Sequence, residues 1–463
     1  MSIEETDNAC GPFNGVTKPE RPLPAPYRFI SFEFKKGTFL MHVIGIIAEY
    51  NPFHQGHAYQ LRAIRESVRS RFDDDAAIVA VMSGSFTQRG EATVLDKWQR
   101  ADLAVRGGCQ LVLELPFLFA CRSAQDFARG GVRLLQGLGC VETLSFGAEC
   151  PELTPLMTAA RAIDAPETQA KLHESLRAGA SYAKALTAIL AQESGLAADL
   201  LRQPNNILAI EYLRALQRYA PGIEPLLVAR RGAGYHAPSL GHFASASAIR
   251  RELAKAQPDF AALEESLPEA TYAAIRQACP AEIASTERLF APLLARLLTM
   301  QEGELKAVFG LQEGLANRLL AKSAQSRSLA GLLAKMVTSR YPASRISRII
   351  PHLLLGSTEH AARTADETGP LYARVLAFDE TGRELLHEIK KRSTLPLITK
   401  VSAALNSRQR LEGCLTPLQA MLALDTKATE LRALALPAEA PLTSLKQSDF
   451  TSSPHFLTNA SHA

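Results

Sequence analysis

The stretch of sequence that decides the fold runs from Val43 to His57 and reads V-I-G-I-I-A-E-Y-N-P-F-H-Q-G-H. Its first part, Val43 to Ala48, is a short apolar run that predicts a buried strand. The second part carries turn residues, among them Asn51, Pro52 and Gly56. Apolar residues then recur at helical spacing, at Leu61, Ile64, Val68 and Phe72. The order strand, loop, helix is therefore predicted around this stretch.

The same alternation continues along the chain. Further strands are predicted over Ile78–Met82, Leu111–Leu115, Val141–Phe146 and Glu224–Ala229, and helices over Lys97–Val105 and Ala124–Leu135. Strands that alternate with helices at this spacing form a parallel sheet covered on both faces, with ligands at the carboxyl ends of the strands. The predicted fold class is α/β, a Rossmann-like parallel sheet followed by a mainly helical C-terminal domain.

Length and composition indicate a globular protein of two domains with flexible ends. The chain has 463 residues, 47% hydrophobic and 21% charged. We predict a disordered, proline-rich extension over 1–40, with Met41 as an alternative start. The extension is followed by a predicted catalytic domain over 41–265. A mainly helical domain over 266–440 comes next, with a strand or hairpin around Arg374–Phe378. The Ser- and Thr-rich tail, 441–463, is predicted to be disordered.

The location predicted from the sequence is the cytoplasm. No apolar run approaches the roughly 20 residues that span a bilayer. The first residues are acidic where a secretory signal is basic and then apolar. The 7 cysteines include no C-x-x-C pair, which is typical of reduced thiols rather than of a disulfide framework or zinc site. The net charge of +4 is too small to indicate a nucleic-acid partner by itself.

The turn between the first strand and the first helix is a candidate anion site. A helix amino terminus offers unpaired N–H groups and the positive end of a dipole. His54 and His57 can flank an anion there, and Gly56 lets the backbone approach without a Cβ clash. This H-x-G-H pattern resembles the signature of the nucleotidyltransferase and class I synthetase superfamily, which attacks the α-phosphate of ATP. The plainer alternative is two ordinary loop histidines.

Two other segments supply candidate ligand contacts. Ser83–Gly90 follows the second strand and offers hydroxyls to a substrate or ribose; the alternative is a plain surface turn. Ser245, Ser247 and Arg250 begin a helix and could grip the phosphates that leave as pyrophosphate; the alternative is a capping serine beside a solvated arginine. Lys335–Ser339 faintly resembles the second signature loop of class I synthetases, and we interpret it as coincidence.

Six segments together resemble the bacterial tRNA(Met) cytidine acetate ligase family over about 41–430. They are V-I-G-I-I-A-E-Y-N-P-F-H-Q-G-H at 43–57, V-M-S-G-S-F-T-Q-R-G-E at 81–91, L-E-L-P-F at 113–117, S-F-G-A-E at 145–149, Q-P-N-N-I-L at 203–208 and G-A-G-Y-H at 232–236. The chain departs from the family at Ser85, where a triplet such as S-G-H is usual, and in its leader of 40 residues.

The resemblance implies an enzyme that uses ATP and acetate, with magnesium expected on the triphosphate. Acetate becomes acetyl-adenylate, and the acetyl group passes to N4 of the wobble cytidine of elongator tRNA(Met), giving N4-acetylcytidine. His54 and His57 are the implied catalytic residues, and no protein metal ligand is expected. The implied ATP contacts are Ile47, Ala48, Glu49, Tyr50, Asn51, Pro52, Phe53, His54, Gln55, Gly56, His57, Ala58, Tyr59, Gln60, Gly147, Asn205, Arg230 and Arg231.

A tRNA partner needs a basic surface, and the C-terminal half offers two clusters. They comprise Arg340, Arg345 and Arg348, and then Lys390, Lys391, Arg392 and Lys400. Solvated helix faces are the alternative for either cluster. Two further hypotheses remain open for the whole chain: a nucleotidyltransferase that adenylylates a small phosphorylated cofactor precursor, and a non-catalytic RNA-binding protein that retained a nucleotide fold.

Overall fold

The structure is a computed structural model that describes residues 32–33, 40–180, 182–194, 198–230, 240–311, 314–338, 340–438, 440 and 448–458. Its strands are β1 (Phe32–Glu33), β2 (Leu40–Ala48), β3 (Asp75–Ser83), β4 (Leu111–Leu115), β5 (Thr143–Ala148), β6 (Glu224–Ala229), β7 (Ala373–Phe378), β8 (Leu397–Ile398) and β9 (His455–Phe456). The strands predicted from the sequence are found, some of them longer than expected, and β5 is shifted by two residues from the predicted Val141–Phe146.

Helices occupy most of the remaining described chain. The first group is α1 (Gln55–Phe72), α2 (Lys97–Arg106), α3 (Phe117–Ala120), α4 (Ala124–Gly137), α5 (Leu153–Asp164), α6 (Pro166–Arg177), α7 (Tyr182–Ser194), α8 (Pro204–Tyr219) and α9 (Ala246–Leu253). The second group is α10 (Phe260–Ser266), α11 (Glu269–Ala278), α12 (Phe290–Thr299), α13 (Glu302–Ala307), α14 (Leu315–Ser323), α15 (Leu329–Met336), α16 (Ala343–Leu355), α17 (Glu359–Thr368), α18 (Glu380–Arg392), α19 (Ser407–Glu412), α20 (Pro417–Ala433) and α21 (Ser448–Thr451).

The central sheet runs in the order β6-β5-β2-β3-β4-β7-β8. The pairs β2–β3, β2–β5, β3–β4 and β5–β6 are parallel. The chain moves from β2 through β3 to β4 on one side and then returns to β5 on the other, so the strand order reverses between β2 and β5. In open α/β sheets, ligands bind in the crevice at the carboxyl ends of the strands beside such a reversal.

Apolar side chains cover both faces of the sheet, as the alternation predicts. One buried cluster joins Val43, Val79 and Leu113 to residues of α4, α5 and α8. The other joins Ile44, Ile78 and Val112 to residues of α1, α2 and α9. Alternate residues of one strand thus face opposite layers of helices, and both layers fix the loops at the carboxyl edge.

The predicted division near residue 265 stays a prediction. The described residues from Phe32 onward fall in one compact unit. Strand β7 lies within the predicted helical part, yet it pairs antiparallel with β4 of the catalytic part. The predicted extension 1–40 lies outside the described residues except for β1, which pairs antiparallel with the start of β2, and Leu40.

The prediction of a disordered tail is wrong for residues 448–458. Strand β9 pairs with β7 in parallel, and Asp449 is 2% exposed. The Asp449 carboxylate lies 2.9 Å from Lys97 Nζ and 2.9 Å from Arg374 Nη2. Glu114 completes the group, with carboxylate oxygens 2.9 Å from both cations. Composition misled because the tail is fixed by charge pairing with distant residues together with a few apolar side chains, such as Leu457 and Phe450, that pack against the core.

This ion network generates a stability prediction. Replacing Asp449 with Asn leaves Lys97 and Arg374 buried with one carboxylate between them, and removing one partner of a buried pair costs about 3–5 kcal/mol. We expect a loss of that size in the free energy of unfolding from urea titration at pH 7. Asp73→Asn is the control, because it changes the same chemical group at the carboxyl end of α1. Equal stability of the Asp449 and Asp73 variants would contradict the prediction.

The sign of its pH dependence also follows. Burial raises the pKa of Asp449, but Arg374 and Lys97 outweigh it and hold the pKa below the ordinary 3.8. Asp449 therefore contributes stability that is present above about pH 4 and lost as the pH falls below it. The stability difference between Asp449→Asn and the unaltered chain should shrink in acid.

Candidate active site

The H-x-G-H turn lies at the carboxyl end of β2, at the point where the strand order reverses. Helix α1 begins at Gln55, and His54 is its N-cap residue. Across the crevice, β5 ends at Ala148. The placement predicted from the sequence, between the first strand of the alternating domain and its helix, is therefore what the structure has.

Both imidazoles of the turn accept a backbone N–H through Nδ1. The Gly56 amide donates to Nδ1 of His54 over 3.0 Å, and the His54 amide donates to Nδ1 of His57 over 3.2 Å. A neutral imidazole that accepts at Nδ1 carries its proton on Nε2. The rings are stacked with centroids 3.8 Å apart. The turn thus presents two adjacent Nε2–H donors.

Burial keeps these imidazoles neutral. It lowers the pKa of His54 from 6.5 to about 3, and Arg230 and Arg250 act in the same direction. The pKa of His57 is also lowered, by burial first and then by His54 and Arg230. The rings therefore lie in the field of two guanidinium groups, which favours an anionic ligand.

Gly56 is required by the neighbouring histidine. A Cβ atom at this position would lie 2.8 Å from Cε1 and 3.0 Å from Nδ1 of His54. The amide of His57 in turn donates to the His54 carbonyl over 2.8 Å. The expectation of unpaired amides at this helix end is therefore wrong for Gly56 and His57. The helix dipole and the two Nε2–H groups remain to stabilise an anion.

Part of the predicted ATP loop, Ile47–Gln60, belongs to the core. Tyr50 and Phe53 are 1% and 0% exposed. Their rings pack on His57, with centroid distances of 4.8 Å and 5.5 Å. These aromatic side chains pack against the His57 ring from the protein interior. Because they are buried, any nucleotide contact from these two positions would have to come from backbone atoms.

Arg100 fixes the carboxyl ends of β2 and β3 to each other. Its Nη1 donates to the Glu49 carbonyl over 2.6 Å, and its Nη2 donates to the Ser83 carbonyl over 3.0 Å and also to that of Gly84. The side chain is fully buried. Sequence reasoning missed this residue, because an arginine on an amphipathic helix is typical of a solvated face.

Three residues expected from the family resemblance meet on the opposite side of the crevice. Asn205 Nδ2 donates to Glu149 Oε1 over 2.5 Å, and Arg230 Nη1 contacts Asn205 Oδ1 at 3.5 Å. A Cβ on Gly147 would lie 3.3 Å from Cγ of Arg230. Gly147, Asn205 and Arg230 are thus brought together from three parts of the chain, and Glu149, which was not predicted as a site residue, holds Asn205 in place.

Some of the predicted positions lie outside the described residues. They are Arg231, the G-A-G-Y-H segment at 232–236, and Ser339 of the discounted Lys335–Ser339 stretch.

Arg250 connects the candidate phosphate contacts to the H-x-G-H turn. It donates to the Asn51 carbonyl over 3.0 Å and to Glu91 Oε2 over 2.7 Å. Its Nη2 also lies 3.4 Å from Ser247 Oγ. Ser245 caps α9 by accepting the Ala248 amide, which is the plainer role considered for it. Arg250 is therefore a paired residue within the site rather than a solvated one.

The Ser83–Gly90 turn is mostly buried, so it is not a plain surface turn. Ser85 Oγ donates to Thr429 Oγ1 over 3.2 Å. A Cβ on Gly84 would lie 2.3 Å from Glu114 Oε1, which explains the glycine. The Gln88 amide donates to Glu49 Oε1 over 2.6 Å. The turn thus braces β2 and the ion network, and its Ser85 hydroxyl is already engaged.

The two basic clusters lie on and beside two different helices, α16 and α18. Arg340 and Arg345 stand over the Tyr341 ring, 5.7 Å and 5.0 Å from its centroid, and Arg348 is half-buried in α16. Lys390, Lys391 and Arg392 form the last turn of α18, where Lys391 pairs with Glu388 over 2.7 Å and Arg392 lies 3.8 Å from it. Lys400 is exposed. Their contact with tRNA stays a prediction.

The described residues contain no group of three or more His, Cys, Asp or Glu side chains arranged to hold a metal ion. No helix within them combines the length and the apolar character needed to cross a membrane.

The buried neutral state of His54 generates a pH prediction. Its folded pKa of about 3 lies below the ordinary 6.5, so the unfolded chain takes up a proton that the folded chain does not. Below about pH 6.5 this lowers the free energy of unfolding by about 1.4 kcal/mol per pH unit for one proton. In His54→Asn the side-chain oxygen can still accept the Gly56 amide, but this titrating group is lost. We expect the slope of the free energy of unfolding against pH, measured by urea titration between pH 6 and 4, to be smaller by that amount. An unchanged slope would contradict the assignment.

Known proteins share this architecture. The family model described as HIGH Nucleotidyl Transferase matches residues 41–447. The tRNA(Met) cytidine acetate ligase of Syntrophotalea carbinolica is 37% identical, over 86% of this chain and 95% of its own length. That of Thermoanaerobacter sp. is 38% identical, over 78% of this chain and 89% of its own length.

Solved structures agree with this relationship. Thermotoga maritima TmcAL in its apo form I superposes with a TM-score of 0.82 at 30% identity, covering 90% of this chain and 100% of that one. Its form II, bound with alpha-thio ATP, gives a TM-score of 0.80 at the same identity. Because the matches cover most of both chains and include the H-x-G-H turn, the chain belongs to the tRNA(Met) cytidine acetate ligase family of HIGH nucleotidyl transferases.

Proposed function

We propose that this chain is an ATP-dependent ligase that activates acetate and transfers the acetyl group to N4 of the wobble cytidine of elongator tRNA(Met), in the cytoplasm. The relatives that share most of its length are named for this activity. The observation that carries the proposal is the pair of neutral Nε2–H donors at the crevice where the strand order reverses. Such a pair suits a nucleotide phosphate beside the start of α1.

The reaction has two steps. An acetate oxygen attacks the α-phosphorus of ATP, the bond to the bridging oxygen breaks, and pyrophosphate leaves. The cytidine amine then attacks the carbonyl carbon of acetyl-adenylate, AMP leaves, and the amine loses a proton. Neither step needs a protein nucleophile. The protein contributes position and charge complementarity, which supply most of the rate in phosphoryl-transfer sites.

The neutral state of the histidines matters in the first step. Negative charge grows on the phosphate oxygens as acetate attacks. Neutral His54 and His57 can donate to these oxygens from Nε2–H while each Nδ1 still accepts its backbone amide, which an imidazolium could not do. Arg230 and Arg250 supply the positive charge. Gly147 and Asn205 are proposed to contact the nucleotide from the opposite side of the crevice, as are the remaining residues of the Ile47–Gln60 loop and Arg231.

Magnesium is expected as part of the nucleotide substrate. Mg²⁺ is commonly held by substrate phosphates together with one or two carboxylates and water. The described residues offer no cluster of three metal-ligating side chains. We therefore expect triphosphate oxygens and water to be the main ligands of the ion. The ion would neutralise charge on the leaving pyrophosphate.

Matched variants of His54 test the role of its distal N–H. In His54→Asn the side-chain oxygen replaces Nδ1 as acceptor of the Gly56 amide, and the distal donor is lost. In His54→Gln the amide nitrogen can take the place of Nε2. Loss of one such donor typically lowers the rate about 10²–10³-fold. We expect a loss of that order in acetate-dependent ATP–pyrophosphate exchange for Asn and a smaller one for Gln. Equal exchange by both variants and the unaltered chain would contradict the role.

The fate of AMP separates the ligase from a nucleotidyltransferase. With ATP labelled in the α-phosphate, acetate and elongator tRNA(Met), the ligase releases free labelled AMP, and mass spectrometry finds N4-acetylcytidine in the tRNA. A nucleotidyltransferase keeps the label on its product. ATP–pyrophosphate exchange without acetate, with the label retained on a small molecule, would favour that alternative. Absence of any ATP binding in calorimetry would favour a non-catalytic RNA-binding protein.

A further inference from the structure

A large cavity lies between α9 and the helices that follow it. Its volume is about 970 Å³, near the upper end of the roughly 300–1,000 Å³ typical of small-molecule sites. One wall is formed by α9 and the segment after it, and another by Cys279–Arg288 and the start of α15. The Glu91–Val94 segment and Ser347 of α16 also line it. The cavity therefore joins the predicted catalytic part to the predicted helical part.

The lining is strongly cationic. It includes the cations Arg89, Arg250, Arg251, Lys255 and Arg288, against the carboxylates Glu91 and Glu287. This leaves a formal charge of +3, although the whole chain carries only +4. Most of the net positive charge of the chain is thus matched by this one surface, and a concentrated basic surface of this kind is typical of nucleic-acid binding. The small net charge of the whole chain did not indicate it.

Both lining carboxylates have partners already. Glu91 pairs with Arg250 over 2.7 Å. Glu287 accepts the amides of Leu329 and Ala330 at the start of α15, over 2.6 Å and 3.0 Å. The negative charge of both carboxylates is therefore partly compensated, which reduces their repulsion of an incoming anion.

Arg250 links the cavity wall to the candidate active site. That guanidinium donates to the Asn51 carbonyl of the H-x-G-H loop and to Glu91 of the cavity wall. Ser247, a candidate phosphate contact, lines the same cavity. A polymer whose reacting nucleotide reached the active site would have its neighbouring phosphates within reach of this wall.

We propose that this cavity holds the backbone of the substrate RNA on the approach to the active site, with Lys255 and Arg288 among the residues that bind phosphate. The inference rests on the proposed function. Arginine and lysine side chains that neutralise phosphates supply most sequence-independent affinity for nucleic acids. The exposed Lys255 and Arg288 side chains line the cavity from two separate segments of the chain. Lys255 is also paired with Glu252 over 2.7 Å, so a phosphate there would share the ammonium group with that carboxylate.

The chemistry of the walls favours a strand held by charge rather than by stacking. Among the residues that the structure describes, no Phe, Tyr, Trp or His side chain lines the cavity, and its apolar surface comes from residues such as Val94, Ile283 and Leu333. Base stacking in single-strand sites relies on aromatic side chains. Binding in the cavity should therefore depend steeply on salt and little on base identity, so choice of the wobble cytidine falls to the active site itself.

The test compares two double variants of equal charge change. Lys255→Ala with Arg288→Ala removes a cation from each wall. Lys306→Ala with Arg408→Ala removes two exposed cations that do not line the cavity. Affinity for elongator tRNA(Met) is measured across a salt series, together with acetate-dependent ATP–pyrophosphate exchange without tRNA.

We expect the cavity variant to bind tRNA about tenfold more weakly at 150 mM salt and to lower the magnitude of the log–log salt slope by about 1.4, since each single-strand phosphate contact contributes about 0.7. The control variant and the exchange rates should match those of the unaltered chain. Equal tRNA affinity and slope for both variants would overturn the cavity assignment. So would weaker binding of ATP or pyrophosphate alone, which would make the cavity part of the nucleotide site. Failure of the unaltered chain to acetylate tRNA would instead overturn the proposed function.

Discussion

The structure of the site depends on one repeated interaction, a backbone N–H donated to the Nδ1 atom of a histidine. The Gly56 amide makes it with His54, and the His54 amide makes it with His57. Each bond fixes the orientation of a ring and places the proton of the neutral imidazole on Nε2. The spacing of the motif follows from this geometry, because the intervening glycine is the residue that allows the His54 ring to lie against the backbone.

Two buried charge systems hold the surrounding loops in place. Arg100 ties the ends of β2 and β3 together through backbone carbonyls. Below the Ser83–Gly90 turn, Glu114 and Asp449 neutralise Lys97 and Arg374. Buried charges persist only where they are paired or hydrogen-bonded. The catalytic edge is therefore supported by residues from both ends of the sequence.

Sequence patterns predicted what depends on local periodicity. The strands at Ile78–Met82 and Leu111–Leu115, and the H-x-G-H turn between strand and helix, could be predicted because side-chain period and turn chemistry are local properties. The involvement of Arg100 and Asp449 could not, because an isolated charged residue has the same appearance in a sequence whether it is solvated or buried. The basic cavity escaped for a related reason: its cations come from separate segments, and only the fold brings them together.

The tautomer of the two histidines can be read from nitrogen NMR of ¹⁵N-histidine-labelled protein at pH 7, with His54→Asn and His57→Asn variants to assign the signals. We expect both rings to be neutral, with the proton on Nε2 and an unprotonated Nδ1. Adding a non-hydrolysable ATP analogue should perturb the Nε2 signals most. A proton on Nδ1 of either ring, or an imidazolium at pH 7 without nucleotide, would contradict this expectation.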